Sequence, residues 1–135
     1  MTVDMFGTVR ADKFIGEQKV LWTGGYYMTT DHTATLSESV SAQANGIVLV
    51  WSGYSSGEQN YQWHFDFIPK WFVKQFPGNG ITCIMAGANF SPIATKYVYP
   101  YDTYIKGYVD NAKTGTTNGI TYANNRYVLR YVIGV

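Results

Sequence analysis

Two histidines, one cysteine and nine side-chain carboxylates are the groups in this chain from which a reaction centre or a metal site could be assembled. His64 and Asp66 are two residues apart in a stretch that alternates like a strand, so both fall on one face. Asp31-His32 adds a second acid and imidazole pair. Metal sites of this kind need more: two histidines spaced four apart on a helix, or a cysteine cluster. Neither pattern is present, and His64 beside Asp66 reads as a hydrogen-bonded strand pair, with no metal and no cofactor expected. Glycoside cleavage requires two facing carboxyl groups of different acidity. Glu58, Asp66 and Asp102 are the only plausible acids, and Glu58 sits in a Ser/Gly loop that favours simple solvation. Cys83 lies in the apolar run Ile81 to Ala86, where a buried, inert thiol is expected. Gly53-Tyr54-Ser55-Ser56-Gly57 spells Gly-x-Ser-x-Gly, but the flanking pattern of a nucleophile elbow, a helix-forming run after the serine, does not follow it, and there is no phosphate loop. The inventory points away from an enzyme, and no catalytic residue is assigned.

Binding has better material. The chain holds 12 Tyr and 4 Trp, and tyrosine gives a rigid contact surface plus a hydroxyl at low entropic cost. Tyr26, Tyr27, Tyr54, Tyr101 and Tyr122 flank Gly, Ser, Asp or Asn. Such a mixture suits sugars, with an aromatic platform for the apolar face and polar groups for the hydroxyls. Tyr54, Tyr101 and Asp102 are the leading candidates for ligand contact, followed by Tyr26, Tyr27 and Trp71. Tyr97, Tyr99, Tyr127 and Tyr131 alternate within strand-like runs and are expected to fill sheet faces or subunit contacts.

The elements that position these residues read as β-structure. Ile47 to Trp51 is an apolar, β-branched run suited to a strand covered on both faces. After the loop Ser52 to Asn60, residues Tyr61, Trp63, Phe65 and Phe67 alternate with Gln62, His64 and Asp66. That pattern predicts an aromatic face turned to the core or a subunit interface, opposite a polar face. Lys19 to Trp22, Thr33 to Leu36, Ile81 to Ala86, Ala94 to Pro100, Thr103 to Val109 and Tyr127 to Ile133 supply further strands, the last of them long and central. Thr23-Gly24-Gly25 reads as a turn. One helical turn is expected after Pro69, Pro77-Gly78-Asn79-Gly80 marks the strongest turn, and Asn111 to Gly119 reads as a mobile loop. About eight strands at this spacing predict an all-β, antiparallel β-sandwich or jelly-roll-like domain.

At 135 residues one core is the default. Charged residues are 14% and the net charge is +1, which argues against nucleic acid as a partner. The charge is uneven: residues 1–66 hold three basic and seven acidic side chains, and residues 67–135 hold seven and two. Solvation is the simplest reading of that asymmetry. No run of 18 apolar residues and no basic-then-apolar leader is present, so a soluble chain without membrane insertion or a cleaved signal is expected.

Residues 1–17 differ in character from the rest of the chain. Gly7, Val9, Ala11, Asp12, Phe14 and Gly16 resemble a Gly-bounded repeat of the trimeric β-structured shafts of phage and other viral fibres. From residue 18 to 135 the sequence reads as a head domain. Lys-Val-Leu-Trp-Thr-Gly at 19–24, Thr-Leu-Ser-Glu-Ser-Val at 35–40 and Asn-Gly-Ile-Val-Leu-Val-Trp-Ser at 45–52 carry a further likeness. So do Phe-Ile-Pro-Lys at 67–70, Lys-Tyr-Val-Tyr at 96–99 and the C-terminal Tyr-Val-Leu-Arg-Tyr-Val-Ile-Gly-Val. Together they resemble the C-terminal head domain of tail-fibre or baseplate proteins from phages and prophages of Gram-positive bacteria. The resemblance implies a non-catalytic, homotrimeric receptor-binding head on the virion, assembled in the host cytoplasm beside other tail and baseplate proteins. Its ligand would be a cell-wall polysaccharide or teichoic acid. The alternatives are a structural tail component making protein contacts alone, and a cell-wall depolymerase using Glu58, Asp66 and Asp102.

Overall fold

Short β-branched and aromatic runs, punctuated by Gly, Pro, Asn and Ser, build strands and turns and little else. A computed structural model describes residues 18–135 and, ahead of them, the backbone of two short strands, β1 (Thr2–Val3) and β2 (Val9–Arg10), which pair antiparallel. The fibre-shaft pattern from Gly7 to Gly16 otherwise lies outside the described residues. Next come β3 (Lys19–Tyr26), β4 (Thr33–Thr35), β5 (Gly46–Gly53), β6 (His64–Pro69), the helix α1 (Lys70–Gln75), β7 (Ile81–Ala86), β8 (Ile93–Pro100), β9 (Tyr104–Lys106), β10 (Thr114–Thr117), β11 (Ile120–Ala123) and β12 (Tyr127–Gly134).

Two four-stranded antiparallel sheets form the sandwich, in the orders β3-β12-β5-β6 and β4-β9-β8-β7. Ile47, Leu49, Trp51, Tyr127 and Leu129 from the first sheet meet Ala34, Cys83, Met85, Val98 and Ile105 from the second in one core. Each large side chain removed from water there contributes roughly 1.5–3 kcal/mol. The all-β sandwich, the one-turn helix after Pro69, the central C-terminal strand and the buried Cys83 thiol agree with the sequence. β5 runs from Gly46, beside Pro69 and Gly134, to Gly53, beside Tyr127. The first of these ends of the sandwich is the helix end, and the second is the loop end.

Four features depart from expectation. The pair Gly24-Gly25 does not turn, and β3 continues through it to Tyr26. The strand expected over Thr103 to Val109 is confined to Tyr104–Lys106, because a 3-10 turn takes over at Val109–Ala112. Asn111 to Gly119 is not a loop throughout: β10 pairs with β11 in a hairpin closed at Asn118 and Gly119, with φ of 53° and 77°. Two consecutive residues at positive φ make the tight hairpin turn for which Asn-Gly is the favoured sequence. The fourth concerns β6, whose aromatic face, expected in the core or at a subunit interface, does not enter the core. Phe65 and Phe67 point outward, 66% and 53% exposed, while His64 and Asp66 are partly buried and Ile68 is buried.

The polar face of β6 turns inward because the edge of the second sheet offers it partners. His64 Nε2 accepts from the Ala86 N–H of β7 at 3.1 Å, and Nδ1 donates to the Gln62 carbonyl at 3.1 Å. The ring stands edge-on to Tyr127, 5.3 Å between centroids. Burial raises the Asp66 carboxyl above the ordinary range, and the Cys83 thiol, the Trp51 indole and His64 beside it pull it partway back. The Trp51 N–H leans toward that carboxyl without closing a well-formed hydrogen bond. The two sheet edges are thus zipped by polar side chains that alternation alone assigns to solvent.

Candidate functional site

β8 presents Thr95 and Tyr97 outward, and β7 presents Thr82 and Ile84 beside them, through the register pairs Thr82 with Tyr97 and Ile84 with Thr95. The hairpin β10-β11 lies over this face and leaves a cleft of about 780 Å³ between them. Ile120 and Tyr122 line it from the hairpin, and Tyr108, Asp110 and Lys113 line it from the 3-10 turn and its flanks. Gly115 lets Tyr122 lie across the hairpin, since a Cβ there would fall 2.9 Å from the Tyr122 hydroxyl oxygen. Tyr97 and Tyr108, which line it, form a triad with Tyr99 beyond the cleft, centroids 5.3 to 6.5 Å apart.

Two asparagines hold this roof in place. β8 pairs with β9 only at Tyr99 and Pro100, so the rest of that edge lacks a strand partner. Asn111 takes the place of one. Its Oδ1 accepts from the Tyr97 N–H at 2.8 Å, and its Nδ2 donates to the carbonyls of Tyr97 at 2.8 Å and Met28 at 2.6 Å. Asn124 does the same further along, accepting from the Thr95 N–H at 2.8 Å and donating to the Asp110 carbonyl at 2.8 Å. Both are buried, and both satisfy main-chain groups that would otherwise be orphaned in the interior.

Between Thr95 and Tyr97, Lys96 points the other way, into the core, and is fully buried. Its Nζ donates to the carbonyls of Tyr27 at 3.0 Å and Asn111 at 2.6 Å and lies 5.3 Å and 5.9 Å from the rings of Tyr27 and Trp51. Burial pulls its pKa down to about 7. Two carbonyl acceptors match the two N–H groups of a neutral amine. Near it, burial first and then the adjacent Lys96 charge lower His32, against the opposing pull of Asp31. His32 Nδ1 accepts from the Thr29 N–H at 3.1 Å, and its ring stacks on Tyr26 at 4.4 Å.

The six ligand candidates from the sequence stand elsewhere, at opposite ends of the sandwich. Tyr26, Tyr27 and Tyr54 gather at the loop end, where Tyr27 meets Tyr54 edge-on at 5.0 Å and burial pushes the Tyr27 hydroxyl up to about 12. Tyr54 is also tied down by its own N–H, which donates to the Arg126 carbonyl at 2.7 Å. Trp71, Tyr101 and Asp102 belong to the helix end. There the Asp102 carboxylate accepts from the Ser41 N–H at 2.8 Å and its hydroxyl at 3.0 Å, which makes it a loop staple. Tyr101 stacks on Tyr104 at 4.5 Å, and Trp71, 62% exposed, stands edge-on to Phe76. None of the six lines the cleft.

The three candidate acids are likewise apart. Glu58 pairs with Tyr54 in the loop, Asp66 faces Cys83 between the sheets, and Asp102 holds Ser41. Among the described residues no group of three His, Cys, Asp or Glu is placed to hold a metal, and no helix is long and apolar enough to cross a membrane. Sequence reasoning missed Tyr108, Asp110, Lys113 and the two asparagine clamps, and it assigned Tyr97 to a sheet face without seeing the roof above it. The Asn118-Gly119 dipeptide was the signal that could have found them. Neither protein-family models nor curated proteins match this chain.

Proposed function

We propose that the chain is a non-catalytic, carbohydrate-binding head domain of a phage tail fibre or baseplate, working as a homotrimer on a cell-wall polysaccharide or teichoic acid. The cleft beneath the β10-β11 hairpin carries this reading. Its size is that of a small-molecule pocket. Tyr97, Tyr108 and Tyr122 offer ring faces and hydroxyls, while Thr82, Thr95 and Asn118 offer short polar groups for sugar hydroxyls. Lys113 at the rim suits the phosphate of a teichoic acid, and Asp110 suits a hydroxyl or an amine. Three such clefts on one fibre tip give avidity to individually modest sites.

The test is binding of the multivalent chain to purified walls of Gram-positive bacteria, with and without teichoic acid. Tyr122→Ala and Asp110→Ala should each weaken binding by roughly tenfold or more, about 1.4 kcal/mol, while Tyr54→Ala and Tyr101→Ala leave it unchanged. Undiminished binding by both cleft variants would overturn the cleft as the site. A chain that oligomerises yet ignores every wall preparation is instead a structural tail component.

A further inference from the structure

The outer face of the first sheet bears an apolar surface that crosses all four strands. Register places Val20, Ile133, Val48 and Phe67 in one row, and Tyr131, Val50 and Phe65 in the next. Phe65, Phe67 and Val20 are 66%, 53% and 51% exposed. Tyr61 and Trp63 extend the surface toward the loop end, also exposed. The charge that borders it is already engaged. A bulge in β12 leaves Arg130 without a register partner, and its guanidinium donates to Ser52 Oγ at 2.8 Å, to the Gln59 carbonyl at 3.1 Å and to Asn60 Oδ1 at 3.1 Å. It also lies over the rings of Trp63 and Tyr131, at 5.3 and 5.7 Å.

The chemistry of this surface narrows its occupant. Phe and Val have no group to receive a sugar hydroxyl, and three of the five N–H groups of Arg130 already serve Ser52, Gln59 and Asn60. The complement is a flat, apolar, uncharged protein surface, and the same face on another copy of the chain is one. Size agrees: with full burial of an aromatic side chain at about 150–250 Å², the exposed parts of Tyr61, Trp63, Phe65 and Phe67 come to roughly 400 Å². That is the apolar centre of an interface of about 800 Å² per partner, with Val20, the half-buried Val48 and a polar rim supplying the rest.

We infer that copies of this chain join through the outer face of β3-β12-β5-β6, each turning Phe65 and Phe67 toward the common symmetry axis. The inference rests on the proposed homotrimer and adds the surface that makes it. Three faces around one axis bury one another and leave the clefts, on the other sheet, facing outward.

Sedimentation or light scattering of the full chain across a dilution series tests it. The wild-type chain should show a defined oligomer, and Phe65→Asp combined with Phe67→Asp should weaken association by roughly 100-fold or more. Both positions are exposed on the single chain, so the variant should keep its circular dichroism spectrum. Phe90→Asp, at a side chain 80% exposed on the other sheet's β7-β8 connection, should leave the oligomer intact. An oligomer indifferent to the double variant, or dissociated by Phe90→Asp, overturns this face while sparing the trimer. A wild-type monomer, or ragged aggregates without defined mass, overturns both. Wall binding by the cleft is a separate measurement and fails or succeeds on its own.

Discussion

On the outer face of the second sheet a hairpin roofs Thr95 and Tyr97, whereas on the outer face of the first no described residue lies over Phe65 and Phe67. Both faces mix aromatic and aliphatic residues, so hydrophobicity does not separate them. What differs is the fate of the main chain at the sheet edge. β8 has an edge without a strand partner and recruits Asn111 and Asn124 to satisfy it, which fixes the hairpin overhead. β12 and β5 are paired on both sides, and nothing requires a roof. The cleft is thus a by-product of satisfying backbone hydrogen bonds, and a bare apolar face is what remains where they are already satisfied.

The sharpest way to break that contrast is to remove a clamp. Asn111→Ala should cost roughly 3–5 kcal/mol, because it strips partners from buried main-chain groups of Tyr97 and Met28. Urea unfolding measures it, and a loss below about 1 kcal/mol would mean that the hairpin is held by other contacts.

Next comes the buried amine below the clamp. Above pH 7 the folded state has released the Lys96 proton, while an unfolded lysine keeps it up to its ordinary value of 10.5. The unfolded state then binds more protons, so stability rises with pH, by roughly 2–3 kcal/mol between pH 7 and 9. Beyond that window Cys83 and Tyr27, both pushed up mainly by burial, oppose the gain, because they ionise in the unfolded chain first. Lys96→Met should remove this slope and leave the variant more stable at neutral pH; an unchanged slope would show that other groups set it.

A smaller effect is expected where the two sheets are zipped. His64→Leu leaves the Ala86 N–H without its acceptor and should cost about 1–2 kcal/mol, read from the unfolding midpoint. Smallest of all, Phe65→Asp with Phe67→Asp should change the stability of the separated chain by no more than about 0.5 kcal/mol. A large loss there would mean that the aromatic face contributes to the fold itself.

These regions also differ in how much the sequence discloses. The β-branched run of β5, the alternation in β12 and the Pro-Gly-Asn-Gly turn each state a local preference that the sandwich obeys. Alternation in β6 was equally plain, but period two gives only the existence of two faces. Which one is buried depends on the Ala86 N–H and the Cys83 thiol across the gap, a long-range fact. The cleft was harder still. The first arm and turn of its hairpin, residues 114–119, hold only Thr, Gly and Asn, so hydrophobic patterning passes over it. Asn111, Asn124 and Lys96 look like ordinary surface residues until the topology buries them. The tyrosines beside turns have the chemistry of contact residues by type, but in the structure Tyr27 and Tyr54 meet each other and Tyr101 stacks on Tyr104.

The two clamps bracket the hairpin in sequence, Asn111 ahead of Thr114 and Asn124 just after Ala123. Their bonds reach main-chain atoms of the scaffold and ask nothing of the ten residues between Thr114 and Ala123. The segment is therefore an exchangeable cassette: its composition can be rewritten between fixed anchor points, altering the lining of the cleft while the sandwich beneath stays as it is.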